Sequence, residues 1–140
     1  MNGLYLGGRK PAPPSLSSAF TFSKPARSFN VSFIPSVTRP CYVEYSINID
    51  CDSTITETGG TTEDGRVNLV DIGTGLTIAT IRNYSQFSGT VLIGVAIVNR
   101  QQITMTLGAW VLPNTTLQLQ TAALAGTPTF TMTQTAEWVF

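Results

Sequence analysis

Between Cys41 and Ile49 the chain alternates apolar and polar side chains almost without error. Cys41, Val43, Tyr45, Ile47 and Ile49 fall on one face, and Tyr42, Glu44, Ser46 and Asn48 on the other. A period of two predicts a strand with one buried face. Pro35 and Pro40 keep that strand from extending backwards. Residues 103 to 112 repeat the pattern, with Ile103, Met105, Leu107, Ala109 and Val111 together. Pro113-Asn114 then turns the chain into residues 115 to 121, where Leu117 and Leu119 face inward. Residues 66 to 72 and 76 to 82 predict a hairpin around Gly73-Thr74-Gly75, and residues 127 to 133 and 136 to 140 two closing strands. The polar stretch from Ser53 to Arg66, with its Gly-Gly and Asp-Gly pairs, reads as turn-rich. No window supports a useful amphipathic helix; residues 118 to 126 offer one turn at most. The expected class is all-β, an antiparallel β-sandwich or jelly roll of eight to ten short strands.

One segment departs from alternation. Residues 90 to 99 are apolar on both faces, with Val91, Ile93, Val95 and Ile97 on one and Leu92, Gly94, Ala96 and Val98 on the other. Read as a strand, it needs cover beyond the second sheet: a loop, the N-terminal residues, or another subunit. The expectation is a subunit contact through Leu92, Ala96 and Val98.

Residues 1 to 26 differ from the rest. They mix Gly, Pro and Ser with isolated large apolar side chains: Leu4, Tyr5, Leu6, Leu16, Phe20 and Phe22. Proline-rich sequence favours extended backbone, and a tail with no packing role would hold fewer aromatics. The division is therefore an extended arm over 1–26 and a β-domain over 27–140. Leu4, Tyr5, Leu6, Phe20 and Phe22 are expected to enter pockets on a partner; the alternative is an arm that packs back on its own domain.

Charge changes the picture of the surface. Charged residues make up 11% of the 140, and the formal net charge is zero. A freely diffusing domain usually carries more, so a low-charge, Thr- and Gln-rich surface fits a protein that works inside an assembly. The basic residues are scattered, which argues against nucleic acid. No run approaches the roughly 18 apolar residues of a membrane span. Pro11, Pro13 and Pro14 interrupt the place where a signal peptide's apolar core would lie, so synthesis in a cytoplasm is expected. Cys41 and Cys51, on one strand, lie about 33 Å apart at roughly 3.3 Å per residue, too far for a disulfide. Three Asn-x-Ser/Thr triplets, at Asn30, Asn83 and Asn114, read as chance in a Thr-rich chain.

Chemistry is sparse. There is no histidine, which removes the commonest general base and most zinc sites. No nucleotide-binding or nucleophile-elbow motif occurs. Asp50, Asp52, Glu57, Glu63 and Asp64 gather in one region and are the one candidate for calcium, against the simpler reading of a solvated polar loop. Trp110 and Trp138 are candidates for stacking on sugars, against packing in a core or a subunit interface. A non-enzyme without cofactor is expected.

The stretch from Arg27 to Ile49 resembles a family of small tailed-bacteriophage virion proteins. The resemblance rests on Arg27, Asn30, Phe33, Ser36, Thr38 and Arg39 leading into a strand with Val43, Tyr45, Ser46 and Ile49. It extends to Gly65 before a Val-x-Leu strand, Gly94, the Gly126–Phe130 run and the closing Glu137-Trp138-Val139-Phe140. Pro113-Asn114 departs from the family's usual turn, and the arm lies outside the likeness. The layout is also similar to trimeric jelly rolls of the C1q and tumour-necrosis-factor kind. The resemblance implies a virion protein: a capsid decoration (cement) protein, a homotrimer bound to the major capsid protein through arm and β-domain. The alternative is a tail-fibre or tail-tip receptor-binding module.

Overall fold

The computed structural model describes residues 20–140. Leu4, Tyr5 and Leu6 of the expected arm lie outside the described residues. Nine strands follow one another: β1 Thr21–Ser23, β2 Ser32–Phe33, β3 Cys41–Thr56, β4 Gly59–Gly60, β5 Thr62–Asp71, β6 Leu76–Gln86, β7 Ile97–Val111, β8 Leu117–Ala125 and β9 Thr129–Val139. One sheet runs β1-β9-β3, with β7 on the free side of β3 and β4 paired to its end; the other runs β2-β8-β5-β6. All pairings are antiparallel, and the sheets pack face to face as a β-sandwich.

The core forms where alternation points it. Cys41, Val43, Tyr45, Ile47, Ile49 and Cys51 of β3 meet Val67, Leu69, Ile81, Leu117 and Leu119 of the facing sheet. Both cysteines are buried and free, at the two ends of this inward row. The strand runs seven residues past Ile49 and so takes in Ser53–Thr56, part of the stretch read as turn-rich. Its Thr and Ile residues suit a half-buried strand, and Ile55 continues the inward row. Residues 117–125 are strand as well, not a helical turn.

The two closing segments are one strand with a bulge. Ser46 pairs Gln134 while Ile47 pairs Met132, which leaves Thr133 unpaired. Thr133 Oγ1 donates to the Ser46 carbonyl at 2.9 Å. The extra residue moves the inward phase from Phe130 and Met132 to Thr135, Glu137 and Val139.

Residues 27–40 tie the two sheets together at one end. Arg27 donates from Nε and Nη2 to the two carboxylate oxygens of Glu137, each at 2.8 Å, and its guanidinium lies 4.3 Å from the Phe33 ring centroid. Tyr45 Oη donates to Glu137 Oε1 at 2.6 Å, and Phe33 meets the Tyr45 ring edge-on at 5.8 Å. Asn30, at φ 59°, accepts from Thr121 N and donates to Thr121 Oγ1. Arg39 Nη2 donates to the Val139 carbonyl. Arg27, Asn30, Phe33, Arg39, Tyr45 and Glu137, which carry much of the resemblance, thus hold the fold.

Two further expectations are corrected. Residues 90–96 are not a strand. A turn brings Val95 N to the Leu92 carbonyl at 3.0 Å, with Gly94 at φ +77°, a backbone state that breaks a strand and suits the third position of a type II turn. Strand β7 begins only at Ile97. The second concerns the arm's end: Thr21–Ser23 pairs with Val139–Glu137 and is an edge strand of the chain's own sheet. Phe20 and Phe22 accordingly pack on Phe140 and Trp138 of the same chain, each still about half exposed.

Candidate functional site: an aromatic row and an apolar tip

The outer face of the β1-β9-β3-β7 sheet carries a line of rings. The register sets Phe22 opposite Trp138, Trp138 opposite Tyr42, and Tyr42 opposite Trp110. Four aromatic side chains therefore lie abreast on four neighbouring strands, with successive centroids 5.3, 5.7 and 5.3 Å apart and planes turned by 39–53°. Phe140 flanks Trp110 at 5.1 Å and Phe20 flanks Phe140 at 6.0 Å. Trp110 is 66% exposed and Phe22 47%. Core packing of Trp110 is thereby ruled out. Directly opposite residues on one face of an antiparallel pair stand closest, so the row needs no partner to form.

Gly108 shapes the row. A Cβ there would sit 2.6 Å from Tyr42 Oη and 3.4 Å from its Cζ. The missing side chain leaves the space that the hydroxyl end of the Tyr42 ring occupies, beside Glu44. Next along the same face is a hollow of about 380 Å³ lined by Glu44, Ser46, Thr106, Gln134 and Ala136. Beyond it come Asn48 with Thr104, then Asp50 with Gln102, each pair hydrogen-bonded.

The other end of the molecule is apolar. Leu92 is 82% and Ile93 90% exposed at the tip of the turn; Val95, Ala96, Ile97 and Val98 are also exposed. The tip is anchored: Val91 N donates to the Thr56 carbonyl and Gly94 N to Glu57 Oε2. Thr90, Val91, Leu92 and Val95 surround a hollow of about 480 Å³. Beside it run two long strand edges. Among the described residues β7 pairs only with β3 and β6 only with β5. The fifteen residues of β7 hold one charge, Arg100, and the eleven of β6 one, Arg82. Long strand edges with so little charge invite pairing with another chain.

The five carboxylates disperse. Asp50, Asp52 and Glu63 line a polar hollow with Thr54, Thr127 and Thr129. Glu57 holds the tip, and Asp64 is buried against Arg82. Burial, then the charge of Asp50, pushes the Asp52 carboxyl above its ordinary range. Among the described residues no three His, Cys, Asp or Glu are placed to hold a metal ion.

Sequence reasoning singled out Trp110 and Trp138 but not their neighbours in the row. Tyr42 was an outward residue, Phe22 belonged to the arm, and Gly108 carried no signal at all. Leu92, Ala96 and Val98 stand on one exposed stretch, though on a turn and a strand start rather than one strand. No protein family, curated protein or solved structure matches the chain.

Proposed function

We propose that the protein is a structural component of a phage virion, a capsid decoration protein that works as a homotrimer. The observation that carries the assembly part is the exposed apolar tip, Leu92 and Ile93, beside the weakly charged edge of β7. Burying such a side chain is worth roughly 1.5–3 kcal/mol, so the tips of several subunits together supply a substantial contact. The virion part rests on the resemblance, and the low charge of the surface agrees with it. Contact with the major capsid protein falls to the residues before Phe20, since Phe20 and Phe22 already pack on the chain's own sheet.

Sedimentation of the full chain tests the assembly. Leu92 is so exposed in the single chain that Leu92→Asp leaves the fold and its melting temperature unchanged within a subunit, yet places an unpaired charge in the contact. The expected result is a trimer for the native chain and a folded monomer for Leu92→Asp. A native chain that sediments as a monomer at micromolar concentration overturns the reading. Removal of residues 1–19, which spares β1, is expected to leave the trimer and abolish binding to capsids that lack the protein.

A further inference from the structure

We propose that the row Phe22–Trp138–Tyr42–Trp110 is a binding platform for a linear, neutral glycan. The inference is independent of how the subunits assemble and of where on a virion the protein sits.

Three features of the surface select this ligand. The first is shape. Four rings in a line across four strands make a track, and the centroid steps of 5.3–5.7 Å bring successive rings under successive units of an extended pyranose chain. A pyranose has an apolar face of C–H groups, which the negative face of an aromatic ring attracts. The second is presentation. The hydroxyl end of the Tyr42 ring occupies the space over Gly108, a posture that a side chain at position 108 would disturb. The third is the chemistry alongside. The adjoining hollow offers Ser46, Thr106 and Gln134, with Glu44 as its single charge. Hydroxyl and amide groups match the donors and acceptors of sugar hydroxyls, and polar groups beside stacked rings are the usual way a site fixes orientation. The carboxylate of Glu44 disfavours acidic sugars. Among the described residues Lys24 lies over the far ring, 5.9 Å from the Phe22 centroid.

The rings are held by backbone register on a sheet rather than by loops, so the platform exists before any ligand arrives. A protein partner is the competing occupant for an aromatic patch. The polar row along one side of the track favours the hydroxyl-rich ligand.

The chain supplies its own reporter, because both of its tryptophans stand in the row. The experiment titrates the full chain with linear neutral hexasaccharides, β-1,4- and α-1,4-glucans, β-1,3-glucan and β-1,4-linked N-acetylglucosamine, up to millimolar concentration. It follows tryptophan emission and is paired with a glycan microarray. The expected result is a saturable change with at least one probe, weakened at least roughly tenfold in Trp110→Ala, whose circular-dichroism spectrum shows the strands retained. Gly108→Val, which lifts the Tyr42 ring, is expected to weaken binding while both tryptophans remain. Silence across the panel and the microarray overturns the proposal, as does a response that survives Trp110→Ala. Conversion of the oligomer to monomer by Trp110→Ala identifies the row as a subunit contact and overturns it too. Loss of capsid binding in that variant without any glycan response assigns the row to a protein partner and likewise overturns the glycan platform.

Discussion

Replacing Glu137 by Leu removes the acceptor shared by Arg27 and Tyr45. Glu137 is 2% exposed and Tyr45 fully buried, while the Arg27 side chain keeps 17% of its surface in water. The substitution strands a guanidinium that donates two bonds and a phenol that donates one. Breaking one side of a buried ion pair costs about 3–5 kcal/mol. The remaining access of Arg27 to water places this case near the lower end, about 3 kcal/mol. Against a total stability of about 5–15 kcal/mol this is a large share. For a urea slope of about 1–3 kcal/mol per molar it lowers the midpoint by about 1–3 M. The measurement is urea unfolding followed by circular dichroism at one fixed protein concentration, since assembly adds its own stability. The triple variant Arg27→Met, Tyr45→Phe, Glu137→Leu removes donors and acceptor together, and is expected to regain most of the loss. A single variant within about 1 kcal/mol of the native chain, or a triple variant no more stable than the single, refutes this account of the cluster.

Acid sensitivity follows from Asp64. Its hydrogen bonds from Arg82, opposed in part by burial, hold its carboxyl below the usual range. The folded chain thus takes up that proton less readily than the unfolded one, so the contribution is complete above about pH 4 and is lost as the pH falls through the lowered value. Urea midpoints between pH 2 and 6 are expected to fall less steeply in Asp64→Asn, and an equally steep acid limb contradicts the assignment. Burial pushes both thiols up, with the charge of Glu137 adding to the effect at Cys41. Alkylation of the native chain at pH 8 is therefore expected to be slow at both cysteines and complete after unfolding, as read by mass spectrometry; rapid labelling of the native chain speaks against the packing of β3.

Period-two alternation made β3, β7 and β8 legible because each has one face in the core and one in water. It failed where that condition fails. Residues 90–96 are apolar throughout, and apolar runs alone do not separate a buried strand from an exposed turn; only Gly94 hinted at the second. The bulge at Thr133 shifted the phase of β9, so one strand read as two. The aromatic row was legible in its parts and not as a whole. Tyr42 and Trp110 belong to strands read correctly, yet which residue stands opposite which depends on strand order and register, and these are set by contacts distant in sequence. Phe22 was drawn into the arm by the prolines around it, although three residues of backbone pairing sufficed to place it in the sheet.

Tyr42 and Thr56 mark the two ends of β3, about 46 Å apart at roughly 3.3 Å per residue. The row lies at one end and the apolar tip at the other, joined by a single unbroken strand. A pull applied at the tip and resisted at the row is borne along β3, with the bonds to β7 and β9 loaded in shear and sharing the force. The first described residues, from Phe20, join the same sheet differently. Of them, Thr21–Ser23 hold it as a strand of three residues at its margin. Tension along that segment, directed away from the sheet, peels β1 one bond at a time and takes Phe22, the last ring of the row, with it. The molecule thus has a strong axis and a release point, and the release point is built into the aromatic row.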